Sequence, residues 1–168
     1  MVLEHRPVGA AGFRALRQAT TNAAGTYSFA GVKPAKNTDY KVRFAGDTTA
    51  ELQPTTSAVH RANVKAVVSS NVSAASVASG QRVRISGAVS PVHDGNIKMT
   101  ITGNGRVVTE TSISMSQSQF TSTPTLTDFH YALTYLPPAP GTYEVRVDFA
   151  GDADHLGSSM VKSFRVTL

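Results

Sequence analysis

The chain has 168 residues, of which 40% are hydrophobic, with no cysteine and a formal net charge of +5. This composition can fill one large or two small cores, and it excludes disulfide bridges, thiolate metal sites and a cysteine nucleophile. No stretch reaches the ~20 consecutive apolar residues that cross a bilayer. The cationic residues are scattered along the chain rather than concentrated beside stacking aromatic residues. We therefore predict neither a membrane span nor nucleic-acid binding.

The first part of the chain predicts short strands separated by turns. Its segments alternate apolar with polar residues, which is typical of a strand with one buried face. The predicted strands are separated by a turn signal at Asn22-Ala-Ala-Gly25 and by a corner at Lys33 to Asn37. The predicted strands are Met1–Arg6, Phe13–Thr20, Thr26–Phe29, Asp39–Phe44 and Ser57–Ala66.

The remaining part of the chain predicts a longer series of strands and no helix. Asp94-Gly95 is a turn signal, and Gly103-Asn104-Gly105 predicts a tight hairpin. Val83 and Ile85 are expected to face a core, as are Ile97, Met99 and Ile101. The predicted strands are Val72–Val77, Gln81–Gly87, Asn96–Thr102, Arg106–Thr109, Thr111–Ser116, Phe129–Leu136, Tyr143–Phe149 and Met160–Leu168.

An internal sequence repeat divides the chain into two parts. The segment Tyr40-Lys-Val-Arg-Phe44-Ala-Gly-Asp47 recurs as Val145-Arg-Val-Asp-Phe149-Ala-Gly-Asp152. Both copies alternate apolar and charged residues and end in a Gly-Asp turn. A repeat of roughly 100 residues made of short strands matches the size of one immunoglobulin-like sandwich.

We therefore predict an all-β fold of two tandem immunoglobulin-like β-sandwiches, one in residues 1–66 and a complete one in residues 67–168. The first has no counterpart of Val72 to Gly87 and so lacks its N-terminal strands. The strand at Tyr27 to Phe29 would then have an open edge. Either the chain is a fragment, or a strand from a neighbouring subunit completes the first sandwich.

Several motifs resemble those of bacterial Ig-like repeat domains in secreted and cell-surface proteins. They are Thr21-Asn-Ala-Ala-Gly-Thr-Tyr-Ser-Phe29, Lys33-Pro34, Asn37-Thr-Asp-Tyr40 and Phe44-Ala-Gly-Asp47, and Gln81-Arg-Val-Arg-Ile-Ser-Gly-Ala-Val-Ser-Pro91 resembles the second strand of such repeats. The resemblance implies an extracellular, usually non-enzymatic module and brings no catalytic residue. Tyr40 and Tyr143 lie where many such folds have a tyrosine corner, although at most one of them fits that role.

Two features are candidate sites. Asp47, Asp152 and Asp154 lie in the repeated turns, where carboxylates either accept backbone hydrogen bonds or contribute oxygen ligands to calcium. The Ser- and Thr-rich stretch Thr109 to Thr127 predicts a strand followed by a long loop, which is a candidate contact surface. We predict no catalytic residue, no metal site and no cofactor.

Three functions are consistent with this sequence. The first is a non-catalytic spacer or adhesive segment of a bacterial surface or secreted protein. The second is a structural subunit of a fibre or surface layer that self-assembles by β-strand complementation at the open edge of the first module. The third is a glycan-binding module. Each implies an extracellular or cell-surface location, with a protein or a cell-surface glycan as partner.

Overall fold

A computed structural model describes residues 1–91, 93, 95–115 and 129–168. All thirteen regular elements of these residues are β-strands, which confirms the predicted all-β class. The chain divides into two compact units. The first comprises Met1–Lys65 with Asp152–Leu156, and the second comprises Ala66–Gly151 with Gly157–Leu168.

The first unit contains a single sheet. Its central strands β1 and β3 are antiparallel, with Leu3 opposite Val42 and His5 opposite Tyr40. The sheet has the order β2-β1-β3-β4, and β5 also pairs with β3. The strands are β1 Val2–Pro7, β2 Arg14–Gln18, β3 Thr38–Phe44, β4 Thr55–Thr56 and β5 His60–Ala62.

In the first unit one predicted strand does not form, and another is shorter than predicted. Tyr27 to Phe29 does not form a strand, because within the described residues no backbone hydrogen bond engages Tyr27, Ser28 or Phe29. The predicted strand Ser57–Ala66 is reduced to the three residues of β5. Ala66 already belongs to the second unit.

The described residues of the second unit form two sheets. One has the order β10-β9-β12-β13-β7 and the other the order β11-β8-β6. The opening strand of this unit, β6, begins at Val67, before the predicted opening strand Val72–Val77. The strands are β6 Val67–Val72, β7 Ser76–Ala78, β8 Val83–Ser90, β9 Asn96–Gly103, β10 Arg106–Ser114, β11 Phe129–Tyr135, β12 Gly141–Gly151 and β13 Leu156–Thr167.

Strict alternation along the strands builds the core of the second unit. In β9 and β12 every second side chain is buried and the intervening ones are more exposed, so each strand gives one face to the core. The predicted inward residues are confirmed. Val83, Ile85, Ile97, Met99 and Ile101 are all fully buried.

The hairpin between β9 and β10 forms where the sequence predicts it. Asn104 and Gly105 both have positive φ, at 50° and 80°, as a type I′ hairpin turn requires. The two strands predicted after this turn are one strand, β10, whose register with β9 shifts between Val107 and Thr109. Such an irregularity breaks the apolar alternation without ending the strand.

Two tyrosine rings in the second unit lie over glycines on the neighbouring strand. Tyr131 is opposite Gly87, and Tyr143 is opposite Gly103. A Cβ atom at Gly87 would collide with the Ser69 carbonyl and the Tyr131 ring, and one at Gly103 would meet the Tyr143 ring. The Tyr131 hydroxyl donates to the Ser69 carbonyl at 2.8 Å. The missing side chains at these glycines therefore make room for the two largest fully buried residues of the core.

We expect Gly87→Ala to lower the free energy of unfolding by about 1–3 kcal/mol, the usual cost of overpacking a dense core. Gly12→Ala is the matched control, because a Cβ atom there meets nothing within 4 Å and the φ of Gly12 is not in the left-handed region. Urea denaturation of the full chain, followed by circular dichroism, measures both. Equal stability of the two variants would contradict this account of Gly87.

Candidate functional site

One face of the first unit's sheet is covered by paired charges. Glu4 accepts from Arg43 at 2.9 Å and lies 3.4 Å from the Lys41 ammonium group. Arg6 donates to Asp39 at 2.9 Å. The hydrogen bond from Arg43 lowers the pKa of Glu4, because it favours the charged form of the carboxyl group.

The Phe13 ring completes this charged face. The Arg6 guanidinium lies 4.8 Å from the ring centroid, and the Lys41 ammonium lies 4.4 Å from it. Both distances fall within the range of cation–π attraction. The charges on this face therefore already have partners within the unit.

The opposite face of the same sheet has little apolar cover. Leu3 is the only apolar side chain that the described part of the first unit buries, whereas the described residues of the second unit bury a cluster of sixteen. Tyr40 beside it is half-buried, and burial raises the pKa of its hydroxyl. A sheet normally buries one whole face against another layer, so this face is incompletely covered.

The chain between β2 and β3 passes over this face and leaves an apolar groove. One part of the groove, about 420 Å³, is lined by Leu3, Tyr27, Phe29, Tyr40 and Ala62 among others. The adjoining part, about 450 Å³, shares Tyr40 with the first. The Tyr27 side chain is 41% exposed, and its ring meets that of Phe29 edge to face at 5.7 Å. We call the two parts together the apolar groove.

The second part of the apolar groove has a basic rim. Arg17 and Lys33 line it together with His5 and Leu16. Arg17 is opposite Leu3 in the β1–β2 register, and Arg14 is opposite His5. Directly paired residues extend from the same face of a sheet, so both arginines lie on the groove side. In the part of the chain that the structure describes, no ion pair involves Arg14, Arg17 or Lys33.

Asn37 anchors the segment that carries the groove wall. Its backbone amide donates to the Asp154 carbonyl at 2.7 Å, and its carbonyl accepts from Val8 at 2.9 Å. Its side chain donates to the Ala153 carbonyl at 3.0 Å and accepts from the Val64 amide at 2.8 Å. Asn37 is only 4% exposed, and these bonds satisfy its buried polar groups.

The repeated aspartates form turns. Oδ1 of Asp47 accepts from the amides of Thr49 and Ala50, and Oδ1 of Asp152 accepts from the amides two and three residues further on, at Asp154 and His155. This is the hydrogen bonding of an Asx turn. The Asp154 carboxylate instead pairs with Lys36 at 3.1 Å. A calcium ion at either turn would have to compete with these bonds.

The other candidate contact surface is described only in part. Residues 109–114 belong to β10, Met115 is buried, and residues 116–127 lie outside the described residues. Sequence reasoning placed Lys33 and Asn37 in a corner and in the repeat motifs, but it assigned neither of them, nor Arg17, to a site. Alternation at Tyr27 and Phe29 was the available signal for the groove, whereas nothing local indicates the anchoring role of Asn37, whose partner Ala153 is 116 residues away.

Comparison with known proteins finds no match: no protein-family model, no curated protein and no solved structure corresponds to this chain. Within the described residues, no helix has the length and apolar character needed to cross a membrane.

We expect Asn37→Ala to destabilise the first unit by about 1–3 kcal/mol, because it leaves the Val64 amide and the Ala153 carbonyl without their partner. Hydrogen exchange should accelerate at the Val64 amide. Asn63→Ala is the control, because Asn63 is exposed. Unchanged exchange at Val64 in the Asn37 variant would show that Asn37 does not anchor this segment.

Proposed function

We propose that the chain is a non-catalytic, extracellular segment of immunoglobulin-like β-sandwich modules that acts as a spacer or adhesive part of a bacterial surface or secreted protein. Three features of the second unit support the immunoglobulin-like assignment: two facing sheets, a core of alternating apolar residues, and the bonding of Tyr143. The hydroxyl of Tyr143 donates to the Ala139 carbonyl at 2.7 Å. Such a bond to the backbone a few residues upstream defines a tyrosine corner.

The observation that carries the spacer proposal is the parallel pairing of β7 with β13. Ser76 is opposite Arg165, and Ala78 is opposite Thr167. The pair is extended at each end, where the Arg165 amide donates to Ala75 at 2.9 Å and the Ser79 amide donates to Thr167 at 2.8 Å. These strands lie near the start and the end of the second unit in sequence.

A parallel pair between strands near the two ends of a unit resists stretching. When force is applied to the start of one parallel strand and the end of the other, the strands slide along each other, so all the hydrogen bonds between them are loaded together. In an antiparallel pair pulled from its open end, the bonds break one after another. The second unit therefore has the geometry that suits a spacer under tension.

We expect Ser79→Pro to lower the force at which the second unit unfolds, because proline removes the amide that donates to Thr167. The loss of one such bond corresponds to about 0.5–1.5 kcal/mol. Ser79→Ala retains the amide and is the matched control, since the Ser79 side chain is exposed. Single-molecule stretching of the full chain measures both variants. If both unfold at the same force, the load-bearing role of this pair is wrong.

A second candidate function is that of a structural subunit in a fibre or surface layer assembled by β-strand complementation. The observation that favours it is the single sheet of the first unit, with its apolar groove on one face. The open strand edge predicted at Tyr27 to Phe29 does not form, because these residues are not a strand. No described residue forms a backbone hydrogen bond with this segment, so its backbone remains available to an added strand.

A further inference from the structure

The sheet of the first unit has the strand order of the larger sheet of the second unit. In the first unit β2, β1, β3 and β5 follow one another, and in the second unit β10, β9, β12 and β13 do so. The strands also occur in the same sequence order, with the repeated Phe-Ala-Gly-Asp segment at the end of β3 and of β12. The two sheets can therefore be compared strand by strand.

The two sheets differ in what covers them. In the second unit, the sheet β11-β8-β6 contributes buried side chains to the core, among them Val68, Val83, Ile85 and Tyr131. The described residues of the first unit contain no second sheet. The segment that precedes β3, as β11 precedes β12, is Tyr27 to Phe29, and it stands alone without strand partners.

We propose that the apolar groove of the first unit binds an extended strand from a different protein, in which apolar residues alternate with acidic ones. The strand takes the place that β8 occupies beside β11. Its apolar side chains face Leu3 and Tyr40, and its acidic side chains reach the basic rim. This inference rests on the strand-complementation proposal only in the addition of a strand at the first unit, and it makes the donor a different protein of stated chemistry.

The backbone of Tyr27 to Phe29 favours a strand over other ligands. Its amides and carbonyls have no backbone partner within the described residues, and the segment lines the groove directly. An added strand would satisfy these groups with main-chain hydrogen bonds, while alternate side chains fill the groove. A glycan would match the regular spacing of these backbone groups less well than a strand does. It would also pack less well against the apolar lining.

The rim determines the charge of the partner. Arg14 and Arg17 extend from the groove side of β2, and Lys33 lines the same part of the groove. Charge complementarity of this kind selects partners and accelerates their association. An acidic strand is attracted, and a basic strand is repelled.

The charge also indicates that the donor is not another copy of this chain. The strand of this chain with most acidic residues is β12, in which Glu144 and Asp148 flank Arg146. This strand is held between β9 and β13. The covering strand β8 carries Arg84 and is flanked by Arg82, so a copy of it would meet the basic rim with like charge.

The direct test is fluorescence anisotropy of the full chain with three short labelled peptides. One alternates Glu and Val, one alternates Lys and Val, and one has the composition of the first with its Glu and Val residues in separate blocks. We expect the first to bind about tenfold or more tightly than the other two. Equal binding of the Glu and Lys peptides would overturn the specificity for acidic residues. Equal binding of the block peptide and the alternating Glu–Val peptide would overturn the proposal that the ligand binds as an extended strand.

Variants locate the site. Arg17→Glu should weaken binding of the Glu–Val peptide about tenfold, whereas Arg82→Glu, an exposed arginine of the second unit, should leave it unchanged. Both positions are exposed, so both variants are expected to fold. Bound peptide should also slow hydrogen exchange at the Tyr27, Ser28 and Phe29 amides. Binding that is insensitive to Arg17→Glu would place the peptide elsewhere and overturn the proposal.

Two further arms separate this inference from the functions proposed above. Sedimentation of the chain alone over a range of concentrations tests assembly from copies of itself; a monomer that binds the Glu–Val peptide supports a foreign donor. Self-association that the peptide competes with would contradict it, because the groove would then accept a strand of this chain. A sulfated oligosaccharide that displaces the peptide while failing to protect Tyr27 to Phe29 would identify the groove as a glycan site instead.

Discussion

A β-sheet with one apolar face has to cover that face, and the two units of this chain meet the requirement differently. In the second unit the sheet β11-β8-β6 supplies the cover, and sixteen of the described apolar residues are buried in the resulting core. In the first unit the cover is a passing segment without strand partners, and Leu3 alone is buried among the described apolar side chains. The groove follows from this difference, and so does the backbone of Tyr27 to Phe29, which has no partner among the described residues.

Much of the second unit could be predicted from sequence because its strands have one buried and one exposed face. Alternation then appears directly in the residue pattern, as at Ile97, Met99 and Ile101. The hairpin at Asn104-Gly105 and the aspartate turns were also predictable, since positive φ and short carboxylates have local sequence signatures.

The remaining features depend on partners that the local pattern does not contain. Tyr27 and Phe29 alternate as in a strand, but a strand also requires a neighbour that supplies hydrogen bonds, and none of the described residues does so. The corner at Asn37 was predictable but its anchoring role was not, because its bonds to Val64 and Ala153 connect residues far apart in sequence. The basic rim required the β1–β2 register, which brings Arg17 opposite Leu3.

The apolar sheet face of the first unit is covered by a segment that has no backbone partner among the described residues. Residue-resolved hydrogen exchange of the isolated chain tests this most directly. The account predicts rapid exchange at the Tyr27, Ser28 and Phe29 amides together with protected amides in β1 and β3, whose ladder is complete. Protection at Tyr27 to Phe29 comparable to that of β3 would contradict the account, because it would mean that this segment already has a strand partner within the chain.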